Sequence, residues 1–525
     1  MQTIVISGPP GVGKSTVGAA LAATLDVPFF DTDERLREQS GKAPGALLRE
    51  RGEPAFRAME REVVDTLLRD GKPKVVAVGG GALVDRELRH RAVDAALVIS
   101  LSARIETLRE RLKGGEDRPL LGGAGAYGDE LPRLLEARRS AYAECHLALA
   151  TDDATPSELA DSIVPWVERS LVAIPLGDRS YTVEVVRGDS TRIADRLATM
   201  GPSSLVVVAD ARVRRAQLAY ATEMFRPLTV PRIDVTLAPG EAHKTVSSVS
   251  TIWDAALGGG IDRDAVVVGF GGGVVLDLAG FAAATLLRGV RWLSVPSTTL
   301  ALIDASVGGK TGFDHPAGKN LVGAFHQPSG VVADLALLRT LPPRERKAGL
   351  AEAVKIGLSS DASLFLRMEE TAEALAAGDE DALLPVLHAA ISAKARVVRN
   401  DETERGERAL LNLGHTVGHA LEAQGAFTRW LHGEAVAIGL VAELRAAAKL
   451  GKTDPALAGR VAALLGRLGL PTAASHADLA AALPWIDADK KRRGAQVRWP
   501  VVSNVGAASV EPVALSALKA ALLSD

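Results

Sequence analysis

Gly8-Pro9-Pro10-Gly11-Val12-Gly13-Lys14-Ser15 has the spacing G-x-x-x-x-G-K-S. Backbone N–H groups of such a turn cradle phosphates because no side chain stands in the way. Gly11 and Gly13 shape the turn, Lys14 reaches the outer phosphates, and Ser15, with Thr16 beside it, sits where Mg²⁺ is held. Asp31 and Asp33 follow. Read as one extended segment, they face the same side, one serving Mg²⁺ and the other a substrate hydroxyl. Either is equally a helix N-cap before Glu34-Arg35-Leu36.

A second set of residues lies far downstream. Gly271-Gly272-Gly273 follows the apolar run Ala265–Gly269, a strand-to-helix turn suited to a dinucleotide pyrophosphate, although not a strict G-x-G-x-x-G. Asp210 ends another apolar run, placed to accept from a ribose hydroxyl or to cap a helix. Asp304 to Lys310 and Gly318-Lys319-Asn320 put polar groups on glycine-rich loops, as an oxyanion or phosphate site requires. His415 and His419, four apart, share one helix face, the spacing of two metal ligands, and His432 follows shortly. Nitrogen and carboxylate ligands without usable thiols suit Zn²⁺ or a similar ion. Arg288, Lys355, Lys394, Arg408 and Lys490 add cations to a chain with no overall basicity.

The elements that must position these groups alternate. Residues 1–170 pair short apolar runs (3–6, 29–33, 75–78, 96–101) with amphipathic helices, predicting a parallel sheet covered on both faces. Thr155 as N-cap and Pro156 at the first helical position predict a closing helix to Ser170. Tyr181–Val186 restarts a strand. Residues 171–343 form a second, Rossmann-like α/β region. Residues 344–525 are mainly Ala/Leu-rich helix. The fold class is α/β with a helical third domain.

The 525 residues exceed one ordinary core, and 47% are apolar. Net charge is −3, so no basic field points to nucleic acid. The single cysteine, Cys145, leaves no internal disulfide and fits a reducing cytoplasm. Neither a signal peptide nor a stretch of membrane-spanning length is expected.

Residues 1–170 resemble shikimate kinase. The P-loop, Asp-x-Asp, Gly52-Glu53-Pro54-Ala55-Phe56-Arg57, Gly79-Gly80-Gly81 and Asp117-Arg118-Pro119-Leu120-Leu121 carry the resemblance. It implies ATP with Mg²⁺, shikimate held by Asp33, Arg57 and the triple glycine, a lid arginine at Arg118, and a further arginine at Arg138, with Arg139 as its alternative. Residues 171–525 resemble 3-dehydroquinate synthase, through Gly271–Asp277, Asp304–Lys310, Gly318–Asn320, Leu411–His419 and Leu431–Glu434. That resemblance implies Zn²⁺, or Co²⁺, on Glu352, His415 and His432, with His419 near the substrate phosphate and not on the metal. It implies NAD⁺ contacts at Asp210, Glu241, Lys244, Gly273, Asp277 and Thr298, with Ser297 and Thr299 as alternative hydroxyls. Substrate contacts are implied at Arg288, Asp304, Lys310, Lys319, Asn320, Lys355, Lys394, Arg408, Asn412, His419 and Lys490. Together the halves imply a bifunctional enzyme of aromatic amino-acid biosynthesis, homodimeric through the synthase half. Three other readings compete. One is a related sugar-phosphate cyclase, another a P-loop domain that only senses nucleotide, and the third a zinc alcohol dehydrogenase.

Overall fold

The structure is a computed structural model that describes residues 1–113, 129–316, 318–486, 492–493 and 496–524. The chain divides into two compact units, Met1–Val183 and Glu184–Asp525.

In the first unit five parallel strands run in the order Phe29–Asp31, Val75–Ala77, Ile4–Ser7, Leu97–Ser102, Leu147–Ala150. Strand residues alternate between faces. Ile4 and Ile6 join a core with Val17 and Leu21 of helix Lys14–Leu25 and Leu159 and Ile163 of helix Pro156–Val167. Val5 faces the opposite core, with Val64, Leu88 and Ala92. The expected closing helix is present. The Thr155 hydroxyl accepts from the Glu158 N–H and the Glu158 carboxylate accepts from the Thr155 N–H, a reciprocal cap. The central strand Ile4–Ser7 ends where the strand order reverses direction, the place at which such sheets open a crevice.

In the second unit the parallel strands Gly330–Asp334, Arg291–Pro296, Val266–Gly271, Leu205–Asp210 and Arg232–Leu237 are neighbours in that order. Val206, Val208 and Val267 pack against helices Val246–Gly258 and Gly273–Thr285. Leu205, Val207, Val266 and Val268 pack on the other face. Beyond Leu350 helices dominate, as the composition implied. The hairpin Gln496–Asn504 with Ala507–Ala514 was not expected there. Its buried Trp499 donates to Glu443 of helix His432–Lys449, so it belongs to that helical core. Among the described residues, no helix is long and apolar enough to cross a membrane.

Candidate active sites

The P-loop of the first unit fits only where side chains are missing. Gly8 has φ 138°, and a Cβ there would run into the Leu101 carbonyl. Gly13 has φ 96° and faces open space, so its backbone is bare toward the cavity. That cavity, 460 Å³, is lined by Gly11, Gly13, Lys14, Ser15, Thr16, Asp31, Asp33, Gly80, Arg111 and Thr151, among others. Lys14 Nζ donates to the Pro9 carbonyl at 3.0 Å, folding back over its own loop. Ser15 Oγ donates to Asp31 at 2.5 Å. The two aspartates do not share an extended segment. Asp31 ends the strand and caps helix Thr32–Ser40 by accepting from the Asp33 N–H at 2.9 Å, while Asp33 lies in that helix's first turn. The capping alternative therefore applies to Asp31, and the helical turn, not strand alternation, brings both carboxylates to one cavity.

The triple glycine lies directly against the other candidates. A Cβ on Gly79 would stand 3.0 Å from Asp33 Oδ1, one on Gly81 2.5 Å from Arg57 Nη2, and one on Gly80 3.2 Å from Pro10 Cδ. Arg57 is held by Glu60, one helical turn along, and by Glu53 at 3.1 Å. Burial raises the Glu60 carboxyl, against the pull of Arg57. Arg138, which is buried, donates to the Gly80 carbonyl at 2.9 Å, and Tyr142 donates to the same oxygen at 2.6 Å. Arg139 is exposed. Arg118 lies outside the described residues.

In the second unit helix Gly273–Thr285 starts from Gly272 without a side-chain cap, leaving its first N–H groups for an anion. A Cβ on Gly272 would lie 3.1 Å from Thr298 Cγ2, and Thr298 Oγ1 accepts from the Ala301 N–H. Thr299 instead packs against Gly349. Asp210 caps helix Ala211–Ala216 by accepting from the N–H groups of Arg212 and Val213. Lys244, nearly fully buried, donates to Asp277 and to Asn320 Oδ1. Lys319 meets Glu241 at 2.9 Å and Glu422 at 3.2 Å.

Two helices bring the histidines together because glycine lets them touch. A Cβ on Gly439 would collide with the Gly414 carbonyl, and one on Gly418 would stand 3.3 Å from Ala435. Helices His415–Gln424 and His432–Lys449 thus approach at backbone distance. The ring centres of His415 lie 5.1 Å from His419 and 5.3 Å from His432. Donor atoms of Glu352, His415 and His432 all fall within 4.8 Å of one another, and so do those of His419, Glu422 and His432. Helix spacing alone would pair His415 with His419, but only the set with Glu352 is closed by a fully buried carboxylate. Neither oxygen of Glu352 makes a hydrogen bond of regular geometry. His432 Nδ1 faces Glu422 at 3.1 Å and its Nε2 faces Glu352 at 3.4 Å. Burial opposes charge on His432, yet Glu422 and Glu352 raise it to about 10. The carboxylates demand a cation at this point, and two imidazoles with a carboxylate are a zinc donor set that keeps one position open.

Around this centre the cations are paired. Lys355 contacts Glu352, Lys394 meets Asp304 at 2.7 Å, Lys310 meets Glu404, and Asn412 donates to Glu404 at 2.9 Å. Arg408, buried, donates to the carbonyls of Glu402 and Gly308. Burial works to raise the Asp304 carboxyl, but Lys394 and Lys355 outweigh it and hold it well below the usual range. Burial pushes Lys394 down to about 8 against the pull of Asp304, and Arg408 adds to the depression. Asp304 sits in a single π-helical turn, Ala301–Ala305, whose Ala305 Cβ would lie 3.4 Å from a Cβ on Gly273. Glycine turn, Asp304, Lys355 and Glu352 thus form one contiguous cluster.

Family models match residues 10–168 as shikimate kinase, 234–348 as 3-dehydroquinate synthase N-terminal and 349–492 as 3-dehydroquinate synthase C-terminal. The 3-dehydroquinate synthase of Halorhodospira halophila is 44% identical over 348 residues, 66% of this chain and 94% of its own. The chain belongs to the 3-dehydroquinate synthase family. Its first unit carries a shikimate kinase domain, so the whole is a bifunctional shikimate-pathway enzyme. Solved structures similar to the synthase part include a 2-deoxy-scyllo-inosose synthase complexed with carbaglucose-6-phosphate, NAD⁺ and Co²⁺. It shows 25% identity and TM-score 0.60, over 67% of this chain and 99% of its own. The 2-epi-5-epi-valiolone synthase of Streptomyces hygroscopicus subsp. jinggangensis 5008, with NAD⁺ and Zn²⁺ bound, shows 29% identity and TM-score 0.59, over 65% and 96%.

One synthase candidate, Arg288, is not brought to these residues. Arg288 is exposed on a left-handed turn (φ 68°) beyond the far end of helix Gly273–Thr285, about 20 Å along its axis from the glycine turn. Lys490 lies outside the described residues. Sequence reasoning missed Glu60, Arg111, Tyr142, Glu404 and Glu422. Glu60 and Glu422 stand three residues after Arg57 and His419, a helical spacing that could have found them. Glu404, at φ 58°, has no such signal.

Proposed function

We propose that the first unit transfers the γ-phosphoryl group of ATP to a shikimate hydroxyl, giving shikimate 3-phosphate and ADP. The second unit converts 3-deoxy-D-arabino-heptulosonate 7-phosphate to 3-dehydroquinate and phosphate. In the kinase, Gly11, Gly13 and Lys14 hold the phosphates, with Ser15 and Asp31 at Mg²⁺. Asp33, Arg57 and Arg138 orient shikimate on the triple glycine. Catalysis is then mostly positioning and charge neutralisation, with the lid arginine Arg118 reaching the transferring group.

In the synthase, Glu352, His415 and His432 would hold Zn²⁺, or Co²⁺. Gly273, Thr298, Asp210, Glu241, Lys244 and Asp277 would hold NAD⁺. When bound, these groups supply reversible hydride acceptance and Lewis acidity at a carbinol, so the overall change is an elimination and ring closure without net redox. The chain's own contribution is to grip an anion at both ends. Lys310, Lys319, Asn320, Lys355, Lys394, Arg408, Asn412 and His419 present donors for a phosphate and a carboxylate in a water-poor cleft. The convergence of Glu352, His415 and His432 beside these cations carries this reading. The sugar-phosphate cyclases are more distant than the dehydroquinate synthases, which favours the heptulosonate. We place the enzyme in the cytoplasm as a homodimer joined through the synthase half, acting on small molecules and on neither nucleic acid nor membrane.

Mass spectrometry of two incubations tests both halves. Shikimate with Mg-ATP should give shikimate 3-phosphate. The heptulosonate phosphate with NAD⁺ and Zn²⁺ should give 3-dehydroquinate and free phosphate. ATP binding without phosphorylated shikimate would make the first unit a sensor. Turnover of another heptulose phosphate alone would indicate a different cyclase, and net NADH would indicate a dehydrogenase.

A further inference from the structure

The shikimate kinase match ends at residue 168, yet the first compact unit continues to Val183. The added chain is not a loose tether. Ala173, of strand Ser170–Ile174, is buried in the kinase core with Val5, Val76 and Val98. The segment then makes a tight turn. The Ser180 N–H and hydroxyl both donate to the Gly177 carbonyl (3.0 and 2.6 Å), and the Leu176 N–H donates to Ser180 Oγ at 2.9 Å.

Two arms run from this turn, one to the triple glycine and one to the residues just after it. In the first, the Gly177 N–H donates to Glu144 Oε1 at 2.9 Å. Glu144 Oε2 accepts from Arg89 Nε at 2.5 Å, and Arg89 Nη1 donates to the carbonyls of Leu83 (2.7 Å) and Val84 (3.0 Å), just after Gly81. Arg89 and Glu144 are both buried. In the second, Ser140 Oγ donates to Asp178 at 3.0 Å, and Arg139 stands 3.7 Å from the same carboxylate. Ser140 is on helix Glu130–Ala143, whose Arg138 and Tyr142 both donate to the Gly80 carbonyl. The second arm therefore ends on the backbone of the pocket we assign to shikimate, and the first on the short helical turn Ala82–Val84 that follows it directly.

We propose that the turn 175–180, which lies beyond the kinase family match, braces the shikimate pocket, with Gly177 and Asp178 as positioning residues. The contacts given above take the turn to Glu144, Ser140 and Arg139, not to the nucleotide loop. The turn's effect falls on the placement of Arg138 and of the triple glycine, hence on shikimate affinity more than on phosphoryl transfer. The inference rests on the kinase reading given above.

Gly177 has φ 61° and donates its N–H, which defines the test. Gly177→Pro deletes the donor and forbids that φ, whereas Gly177→Asn keeps the donor and tolerates the left-handed region. In the full chain, Gly177→Pro should raise KM for shikimate about fivefold to tenfold, the loss of roughly one hydrogen bond to a charged group. KM for ATP, kcat and synthase turnover should stay within about twofold of the parent. Gly177→Asn should restore the parental KM, and Asp178→Ala should give a smaller rise, of about twofold, for its exposed bond. An unchanged shikimate KM in Gly177→Pro overturns the brace. So does a parallel loss in ATP KM, kcat and thermal midpoint. A parent protein that does not phosphorylate shikimate overturns the kinase reading itself, a separate result.

Discussion

The two anion pockets of this chain solve one problem in opposite ways. The kinase pocket recognises phosphate with bare backbone, and Lys14 rests on a carbonyl of its own loop. The synthase pocket is built from side-chain charge, and its lysines meet carboxylates before any ligand arrives: Lys244 with Asp277, Lys319 with Glu241 and Glu422, Lys310 with Glu404, Lys394 with Asp304. The difference follows from burial. A loop at a crevice keeps its N–H groups near water, whereas a charge taken into the interior is costly unless paired. A chain with net charge −3 can therefore place several cations in one site, each matched by a carboxylate.

The sharpest way to separate the pockets is to remove the metal. Stripping divalent ions and restoring only Mg²⁺, or His415→Ala, should lower synthase turnover about a thousandfold, the several kcal/mol a Lewis acid supplies, with kinase turnover intact. His419→Ala should lose synthase activity while elemental analysis still finds bound metal. Metal-free protein would instead put His419 on the metal with His415. The converse variant, Lys14→Ala, should cost the kinase about a hundredfold to a thousandfold, as loss of one preorganised donor does, and leave the synthase unchanged.

Proton chemistry should divide the pockets less steeply. In the role proposed above, Lys394 would bind an anion as its ammonium form, and burial pushes it down to about 8. Synthase kcat/KM should then fall as pH rises through about 8, by about tenfold per further unit, and Lys394→Arg should move that limb to higher pH. Last comes acid stability. Glu144 is depressed from 4.5 to about 2, because His90, Arg89 and the Gly177 N–H outweigh its burial. A carboxyl lowered in the folded state stabilises above its unfolded pKa, and that stability drains away as pH falls from about 4.5 toward 2. It amounts to roughly 2–3 kcal/mol, so Glu144→Gln should flatten the acid limb of thermal midpoint against pH.

The parallel strands and the P-loop were legible because each is written in adjacent residues. Apolar β-branched runs gave Leu205–Asp210 and Tyr181–Val186 at their observed limits. The Asp31–Asp33 geometry was misread because strand alternation was carried two residues too far, into a helix that Asp31 itself starts. The partners of the cations were invisible for another reason. Glu404 reaches Lys310 across 94 positions of chain, and no local period encodes such a pair. The hairpin ending near Ala514 was hidden by alanine and proline, poor strand formers that its packing on the helical core overrides.

The prior pairing of the synthase lysines has a consequence for turnover. An arriving phosphate or carboxylate must displace a resident carboxylate from each lysine it claims, and on departure that carboxylate swings back. The protein thus carries its own competing anions, tethered and always present. On the reaction proposed above, released phosphate would compete with these carboxylates for the same lysines.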